Sequence, residues 1–318
     1  MSSFWTGKRV VVTGARGFVG SFLVDMLIEQ GAYVYGMDTG VRGKNHNSYA
    51  KYADSRQADV SNLGCCGAAF KDADAVFNLA AAVGGLYYNI SHQASQFYGN
   101  VQCLAPPAMA AAKVEVPIYL QVSTVCIYAP GYNDPAEEPW GHYSGPEKAN
   151  EGYAWAKRMG ESVCHWAFGG SPTRYVIVRP TNVYGARDYF DETAHVVPAL
   201  IRKFSSGKSV EVYGGLQERE LIYVTDVARG MLAVAEKGAR GEAYNLGTNG
   251  ETKISISGLA EMIRQRVGYE GYVNWIEDAP TGDFRRSTDS GKANQLGWKA
   301  EVGLAEGLDR TIEWWLAQ

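Results

Sequence analysis

The stretch "VVVTGARGFVG", residues 10–20, decides the fold. Its β-branched start, Val10 to Thr13, is a buried-strand pattern, and it breaks at Gly14. Gly17 and Gly20 follow, and "FLVDMLIEQG" (22–31) then carries apolar residues at helical spacing and closes on a glycine suited to a C-cap. A strand, a glycine turn and a helix in immediate succession leave free N–H groups and the positive end of the helix dipole at the turn, which favours an anion. The glycines allow a tight turn and let a diphosphate come close to the backbone.

Working outward, "AYVYGMD" (32–38), "DAVFNLAA" (74–81), "PIYLQVS" (117–123) and "RYVIVRP" (174–180) are further buried-strand candidates, with helical stretches such as 96–113 and 153–168 between them. Strands alternating with helices predict an α/β chain built on a doubly wound parallel sheet of the Rossmann type. After "NVYG" (182–185) the character changes to a helix around 196–206, a strand "VEVYG", a strand-like "ELIYVTD", a helix at 227–237, and a tail ending in the amphipathic "LAEGLDRTIEWWLAQ". The expected organisation is a nucleotide-binding domain of residues 1–182 plus about 219–250, and a smaller, discontinuous α/β substrate lobe of about 183–218 plus 251–318. That lobe would cover the carboxyl ends of the strands, the edge where open α/β sheets bind ligands.

Composition narrows the class. The 318 residues are 46% hydrophobic and 20% charged, too apolar for disorder, and the net charge of −4 leaves no basic footprint for nucleic acid or an anionic membrane. No apolar run approaches the ~18–20 residues that span a bilayer. Met1 to Lys8 leads into the first strand without an apolar targeting segment, so a cytoplasmic setting is expected. Cys65, Cys66, Cys103, Cys126 and Cys164 are odd in number and lack CxxC spacing, and the five histidines form no ligand motif. Neither disulfides nor a metal is expected.

Asp38 closes the second strand, 18 residues after Gly20. A carboxylate there accepts hydrogen bonds from an adenosine ribose diol and repels a 2′-phosphate, so NAD is favoured over NADP. Arg16 and Arg42 pull the other way, because either could offset the acid and receive a phosphate.

The second chemical signal is "STVCIY" (123–128) followed by "YAWAK" (153–157). Tyr153 and Lys157 lie one helical turn apart and project from one face. An ammonium beside the phenol, with a cationic nicotinamide nearby, would lower the phenol's pKa, so that Tyr153 takes a hydroxyl proton as hydride leaves the same carbon. Thr124, at a strand's carboxyl end, would hydrogen-bond that substrate oxygen.

Together "TGARGFVG", "ADV" (58–60), "NLAA" (78–81), Asn100, "STVCIY", "YAWAK", "RPTNVYG" (179–185), "ERELIYVTDVA" (218–228) and "YNLGT" (244–248) resemble the extended short-chain dehydrogenase/reductase family of nucleotide-sugar epimerases, dehydratases and reductases, over nearly the whole chain. The resemblance implies a Rossmann domain, a nucleotide-sugar lobe and a homodimer. It implies Thr124, Tyr153 and Lys157 as catalytic triad. It places the cofactor on Gly14, Gly17, Phe18, Val19, Gly20, Asp38, Asp59, Val60, Leu79, Ala80, Ala81, Asn100, Tyr153, Lys157, Pro180, Asn182 and Val183, with Asn182 also beside the substrate. Arg219 and Arg285 or Arg286 would clamp the sugar-nucleotide diphosphate through charge-assisted bonds.

Within the family, 4,6-dehydratases carry Asp-Glu after the catalytic threonine, where this chain has Val125 and Cys126; valine moves no protons, so dehydration is disfavoured. "AAAVGGL" (80–86), with Val83, Gly84 and Gly85, and "CIYAP" (126–130) resemble GDP-L-fucose synthase and GDP-mannose 3,5-epimerase. "HVVPALIRKF" (195–204) resembles the segment where the synthase carries its second acid/base histidine, so that Cys126 and His195 would be an acid/base pair and Lys203 a substrate residue. Once C4 of a sugar is a ketone, the protons on C3 and C5 become acidic and such a pair can invert a centre. Asp38 is a departure from the synthase, and it favours an epimerase that retains NAD and recycles it. The expected function is an NAD-dependent nucleotide-sugar epimerase, on a GDP-sugar rather than a UDP-sugar, inverting C3 and C5 through Cys126 and His195 or inverting C4 alone. The alternatives are an NADPH-dependent 4-keto-6-deoxy-sugar epimerase/reductase, a UDP-sugar 4-epimerase, and a non-catalytic NAD-binding protein. Sugar substituents would be met by loops 83–92 and 186–195, whose Tyr87, Tyr88, Tyr189 and Phe190 either line a pocket or pack.

Overall fold

A computed structural model describes residues 3–40, 54–131, 135–206, 209–280 and 282–318. Along the chain, β1 (Arg9–Thr13), α1 (Phe18–Glu29), β2 (Tyr33–Asp38), β3 (Asp54–Gln57), α2 (Leu63–Phe70), β4 (Ala75–Asn78), α3 (Leu86–Ser91), α4 (Gln93–Lys113), β5 (Ile118–Val122), α5 (Glu151–Phe168) and β6 (Arg174–Pro180) come first. There follow β7 (Asn182–Tyr184), α6 (Val196–Ser206), β8 (Ser209–Tyr213), β9 (Glu218–Tyr223), α7 (Val224–Lys237), β10 (Ala243–Leu246), β11 (Lys253–Ser255), α8 (Ile256–Val267), β12 (Tyr272–Ile276), α9 (Gly291–Asn294) and α10 (Leu304–Leu316).

Seven strands make one sheet in the order β10-β6-β5-β4-β1-β2-β3, and every pairing in it is parallel. The doubly wound α/β fold class read from the sequence is therefore the observed one. Alternation explains why both faces are apolar. Val10 and Val12 of β1 point to one side, with Leu23 and Leu27 of α1 and Met231 and Val234 of α7; Val11 points to the other, with Phe70 of α2, Ala108 of α4 and Phe168 of α5.

The sequence order reverses where β1 lies between β2 and β4, so the carboxyl ends of β1 and β4 frame a crevice. A third cluster joins α6, α8 and α10 to β8 and β9 and also takes in Phe18, from the first turn of α1. It is served by two small sheets, β11-β9-β7 and β12-β8. Residues 219–250 thus send β10 to the large sheet and α7 onto its face, while β9 pairs in parallel with β7 and antiparallel with β11. The strand expected through Asp226 ends at Tyr223, because the helix begins at Val224 and Asp226 is fixed in its first turn, accepting from the backbone of Glu301 and Val302 at 3.1 and 2.9 Å. No helix among the described residues is long and apolar enough to cross a membrane.

Candidate active site

The glycine turn is built as its chemistry requires. Gly14 has φ +65°, its N–H donates to Met37 O at 2.8 Å, and its carbonyl accepts from Gly17 N at 3.0 Å. A Cβ on Gly20 would sit 2.1 Å from Gly14 O, so only glycine lets α1 start against the turn. Gly17 caps α1 without a side-chain hydrogen bond, and the first turn holds no acid, which leaves the N–H groups of Phe18 and Val19 in a site suited to phosphate.

Asp38 accepts from Arg16 N at 2.9 Å and Gly40 N at 2.8 Å. Its carboxylate is therefore held at the turn with capacity left for hydroxyl donors. Arg16 Nη1 lies 3.6 Å from the position a Cβ would take on Gly40, so a cation does share this corner; Arg42 lies outside the described residues. Thr13 Oγ1 accepts from Leu79 N and Ala80 N at 3.1 and 3.0 Å and donates to Asn78 Oδ1 at 2.5 Å, and Asn78 Nδ2 donates to Gln121 Oε1 at 3.0 Å. This buried chain ties the carboxyl ends of β1, β4 and β5 together.

The remaining expected cofactor residues fall on the same edge or support it. Asn100 is spent on the backbone: its Nδ2 donates to Ala82 O at 2.8 Å and Gln96 O at 2.7 Å, and its Oδ1 accepts from Ala82 N at 3.2 Å. It shapes the loop after Ala81. Asp59 Oδ1 accepts from Ser61 N at 2.9 Å, and buried Val60 precedes α2. Pro180 ends β6, and Asn182 Nδ2 donates to Glu220 O at 2.9 Å, which fixes β7 with Val183 beside β9. The hydroxyl of Tyr189 lies 3.8 Å from where a Cβ would stand on Gly17, at the turn, whereas Phe190 stacks on Trp315 at 4.3 Å and packs.

Thr124 ends the β5 segment and caps a short 3-10 turn, Val125–Ile127, its Oγ1 accepting from Cys126 N at 3.2 Å. Tyr153, in the first turn of α5, hydrogen-bonds Thr124, and Lys157 Nζ lies 5.6 Å from the Tyr153 ring and donates to Val122 O at 2.9 Å. Burial pulls Lys157 down to about 8, against the opposing pull of Cys103, Glu161 and Cys126. Tyr153 departs from expectation. Burial, and then Cys126, push its phenol above its usual value, and only the Thr124 hydrogen bond works the other way. Lys157 does not offset these, so any lowering is left to a bound cationic ring.

One turn beyond Lys157 stands buried Glu161. Burial alone would raise its carboxyl, yet Arg179 and its hydrogen bonds hold it at about 2. Arg179 Nε and Nη2 reach Glu161 at 2.9 and 2.7 Å while Nη1 donates to Tyr128 OH at 3.0 Å, and Arg158 Nε donates to Ile127 O at 2.9 Å. These groups clamp the segment that carries Cys126. Sequence reasoning missed all of them, because a buried ion pair leaves no spacing signal.

Cys126 is half-buried, and its Sγ accepts from Arg286 Nη1 at 3.3 Å. Arg286 is itself buried and paired with buried Glu147. Its guanidinium is turned inward, onto Glu147 and the Cys126 sulfur. Arg219 Nη1 donates to Glu218 O and Asp283 O at 2.8 and 2.7 Å, and burial with neighbouring Arg286 lowers it to about 10. Arg285 is 62% exposed and meets Glu218 at 3.3 Å.

His195 is exposed and starts α6, its carbonyl accepting from Ala199 N at 3.0 Å. Its segment touches the Val83–Gly85 loop: Gly85 N donates to Thr193 O at 2.8 Å, and a Cβ on Gly85 would overlap Ala194 O. Gly84 is equally tight, a Cβ there standing 2.4 Å from Tyr88 Cδ1. Lys203 Nζ donates to Glu211 O at 2.7 Å and lies 4.8 Å from the Tyr213 ring, which is 5.0 Å from that of Tyr87. Lys203 and Tyr87 thus meet across Tyr213, beside the 83–92 loop.

Comparison with known proteins agrees with this fold. The model of a family described as the NAD dependent epimerase/dehydratase family matches residues 10–247. A probable GDP-L-fucose synthase of Oryza sativa subsp. japonica is 34% identical over 98% of this chain and 92% of its own length. A dTDP-D-glucose 4,6-dehydratase of Homo sapiens is 30% identical over 97% of this chain and 90% of its own. The crystal structure of a UDP-glucose 4-epimerase from Thermotoga maritima with UDP-glucose superposes with a TM-score of 0.86 at 27% identity, covering 97% of this chain and 99% of that one.

Proposed function

This chain belongs to the NAD dependent epimerase/dehydratase family, and from that premise we propose that it is an NAD-dependent nucleotide-sugar epimerase acting on a GDP-sugar. The coarser reading, a nucleotide-sugar epimerase or reductase with a nicotinamide cofactor, rests on the relatives and the fold. The finer one rests on a single observation: Thr124 Oγ1 meets both Tyr153 and the Cys126 N–H, so an alcohol-oxidising pair and a thiol share one strand end.

The dinucleotide would lie on the Gly14–Gly20 turn, Asp38, Leu79 to Ala81 and Lys157. Bound there, NAD would accept a hydride from sugar C4 and later return it. Tyr153 takes the proton of the C4 hydroxyl at its phenol oxygen, and Thr124 holds that substrate oxygen in reach. Lys157, fixed on Val122 O, orients the ribose side of the site. Cys126 Sγ then removes the proton from a carbon beside the C4 ketone, and His195 supplies one from the opposite face. Val125 is buried and apolar at the position where a dehydratase needs an acid, which argues against water elimination. Arg219 and Arg285 or Arg286 would take the diphosphate.

A second reading, an NADPH-dependent GDP-4-keto-6-deoxy-sugar epimerase/reductase, draws on Arg16 beside Gly40 and on the 34% identity to the probable GDP-L-fucose synthase. The dimer expectation draws on α4 and α5. Tyr98 and Met109 on α4, and Trp155 and Trp166 on α5, are exposed and spaced eleven residues apart in each helix, hence on one face of each.

The test is to denature the purified protein and identify the released nucleotide by mass spectrometry, then to run the reaction in heavy water. About one NAD per chain and deuterium at a carbon next to C4, lost in Cys126→Ser and His195→Asn, is expected. An empty protein that binds NADPH more tightly than NADH refutes the recycling epimerase; inversion at C4 alone, without solvent deuterium, refutes the Cys126 and His195 roles.

A further inference from the structure

We propose that Glu147 is a positioning residue for Cys126, acting through Arg286. This rests on the reading above in which Cys126 moves a proton.

One distant segment, 282–286, meets the Glu147 carboxylate, and neighbouring Asn150 relays it to α3. Glu147 Oε2 pairs with Arg286 Nη2 and accepts from Asn150 Nδ2 at 3.1 Å, and its Oε1 accepts from Asp283 N at 2.7 Å. Asn150 in turn accepts from Asn89 Nδ2 of α3 at 2.9 Å. Gly282, at φ +71°, lets the 282–286 segment come this close, since a Cβ there would stand 2.3 Å from Glu147 Oε1.

Both partners of the ion pair are buried. Burial works against the charge of Glu147, yet Arg286 and the hydrogen bonds keep its carboxyl below the usual range. Breaking such a pair leaves an uncompensated buried charge, so the guanidinium has one favourable place, and there Nη1 points at Cys126 Sγ at 3.3 Å. A donor with a full charge that cannot swing away is suited to holding a sulfur which must gain and lose a proton. The same carboxylate also bonds Asn150, three residues before Tyr153, so one anchor sets the sulfur and the start of the helix that carries the phenol.

The experiment compares Glu147→Gln, Arg286→Met, Arg286→Lys and Cys126→Ser in the full chain by two readouts. The first is iodoacetamide alkylation of Cys126, located by peptide mass spectrometry with exposed Cys65 as internal standard. The rate should fall about fivefold in Glu147→Gln and Arg286→Met and recover in part in Arg286→Lys; an unchanged rate overturns the proposal without any substrate being involved. The second is solvent deuterium uptake next to C4, set against KM and against reduction of the bound nicotinamide. Glu147→Gln should slow uptake about 10- to 100-fold, as a small misplacement of a reacting group does, with KM and reduction within about twofold. A raised KM with uptake intact would mean that Arg286 does grip the diphosphate, and sinks the proposal. If Cys126→Ser itself leaves uptake intact, the epimerase reading falls, while the alkylation result still decides whether Glu147 and Arg286 hold the sulfur. Should Glu147→Gln not fold, the double variant Glu147→Gln/Arg286→Met removes both charges and carries the same tests.

Discussion

Lys157→Met should leave the nucleotide-stripped protein more stable at neutral pH than the parent. Lys157 is 2% exposed, and burial lowers its pKa from the usual 10.5 to about 8. At 1.36 kcal/mol per pH unit, keeping the ammonium buried costs about 3 kcal/mol at pH 7. Methionine matches the stem and removes the charge. It forfeits the hydrogen bond to Val122 O, worth about 1 kcal/mol for a neutral donor, but Val122 O keeps Gln121 Nε2 at 3.2 Å and is not orphaned. The balance is about 2 kcal/mol in favour of the variant, or about 3 °C in Tm for a chain whose unfolding entropy scales with 318 residues. The pH dependence identifies the cause. Between pH 8 and 10.5 the unfolded lysine holds its proton while the folded one has released it, so the parent gains stability as pH rises and the variant does not. The advantage should shrink by about 2 kcal/mol between pH 7 and pH 9.5. Urea unfolding of both proteins across that range measures it. A variant less stable than the parent at pH 7, or a difference flat in pH, would refute the view that this lysine is held at the cost of stability for the sake of catalysis.

Three further outcomes are expected. Glu220→Ala strips the acceptor from Thr248 N, Gly250 N, Thr288 N and two threonine hydroxyls and should cost at least about 3 kcal/mol in urea unfolding; a loss under about 1 kcal/mol would mean these groups re-pair. Gly20→Ala, whose Cβ would overlap Gly14 O, should weaken NAD binding at least about tenfold, or about 1.4 kcal/mol, in a calorimetric titration while circular dichroism stays unchanged. Trp166→Glu, at a side chain 72% exposed on α5, should convert a dimer to a monomer in sedimentation velocity without loss of helix content; a parent that already sediments as a monomer removes the dimer from the reading.

What the sequence disclosed follows from how far apart the cooperating atoms lie along the chain. The glycine turn and Asp38 act through adjacent backbone, and Tyr153 and Lys157 act through one helical turn, so their spacing is their geometry. β1, β2, β4, β5 and β6 were legible for the same reason, as buried runs between helical stretches. By contrast β3 and β10, four residues each, carry too little pattern to announce themselves, whereas α4 was legible as a helical stretch at 96–113 even though it runs through Pro106 and Pro107.

The pairing of Arg286 with Glu147, 139 residues away, had no local trace at all. Arginine looks the same in sequence whether its guanidinium meets solvent or a buried carboxylate. The three buried glutamates have one thing in common. Glu161 stands behind Lys157 and the Val125–Tyr128 segment, Glu147 behind Cys126, and Glu220 behind the 248–250 turn and Thr288, in the segment that carries Arg285 and Arg286. Each is held ionised or fully hydrogen-bonded by groups from distant segments, and each fixes an element that carries a candidate functional side chain. A site built this way exposes its reacting groups to sequence analysis and hides what holds them, because the reacting groups obey local spacing and the supports obey only the closed fold.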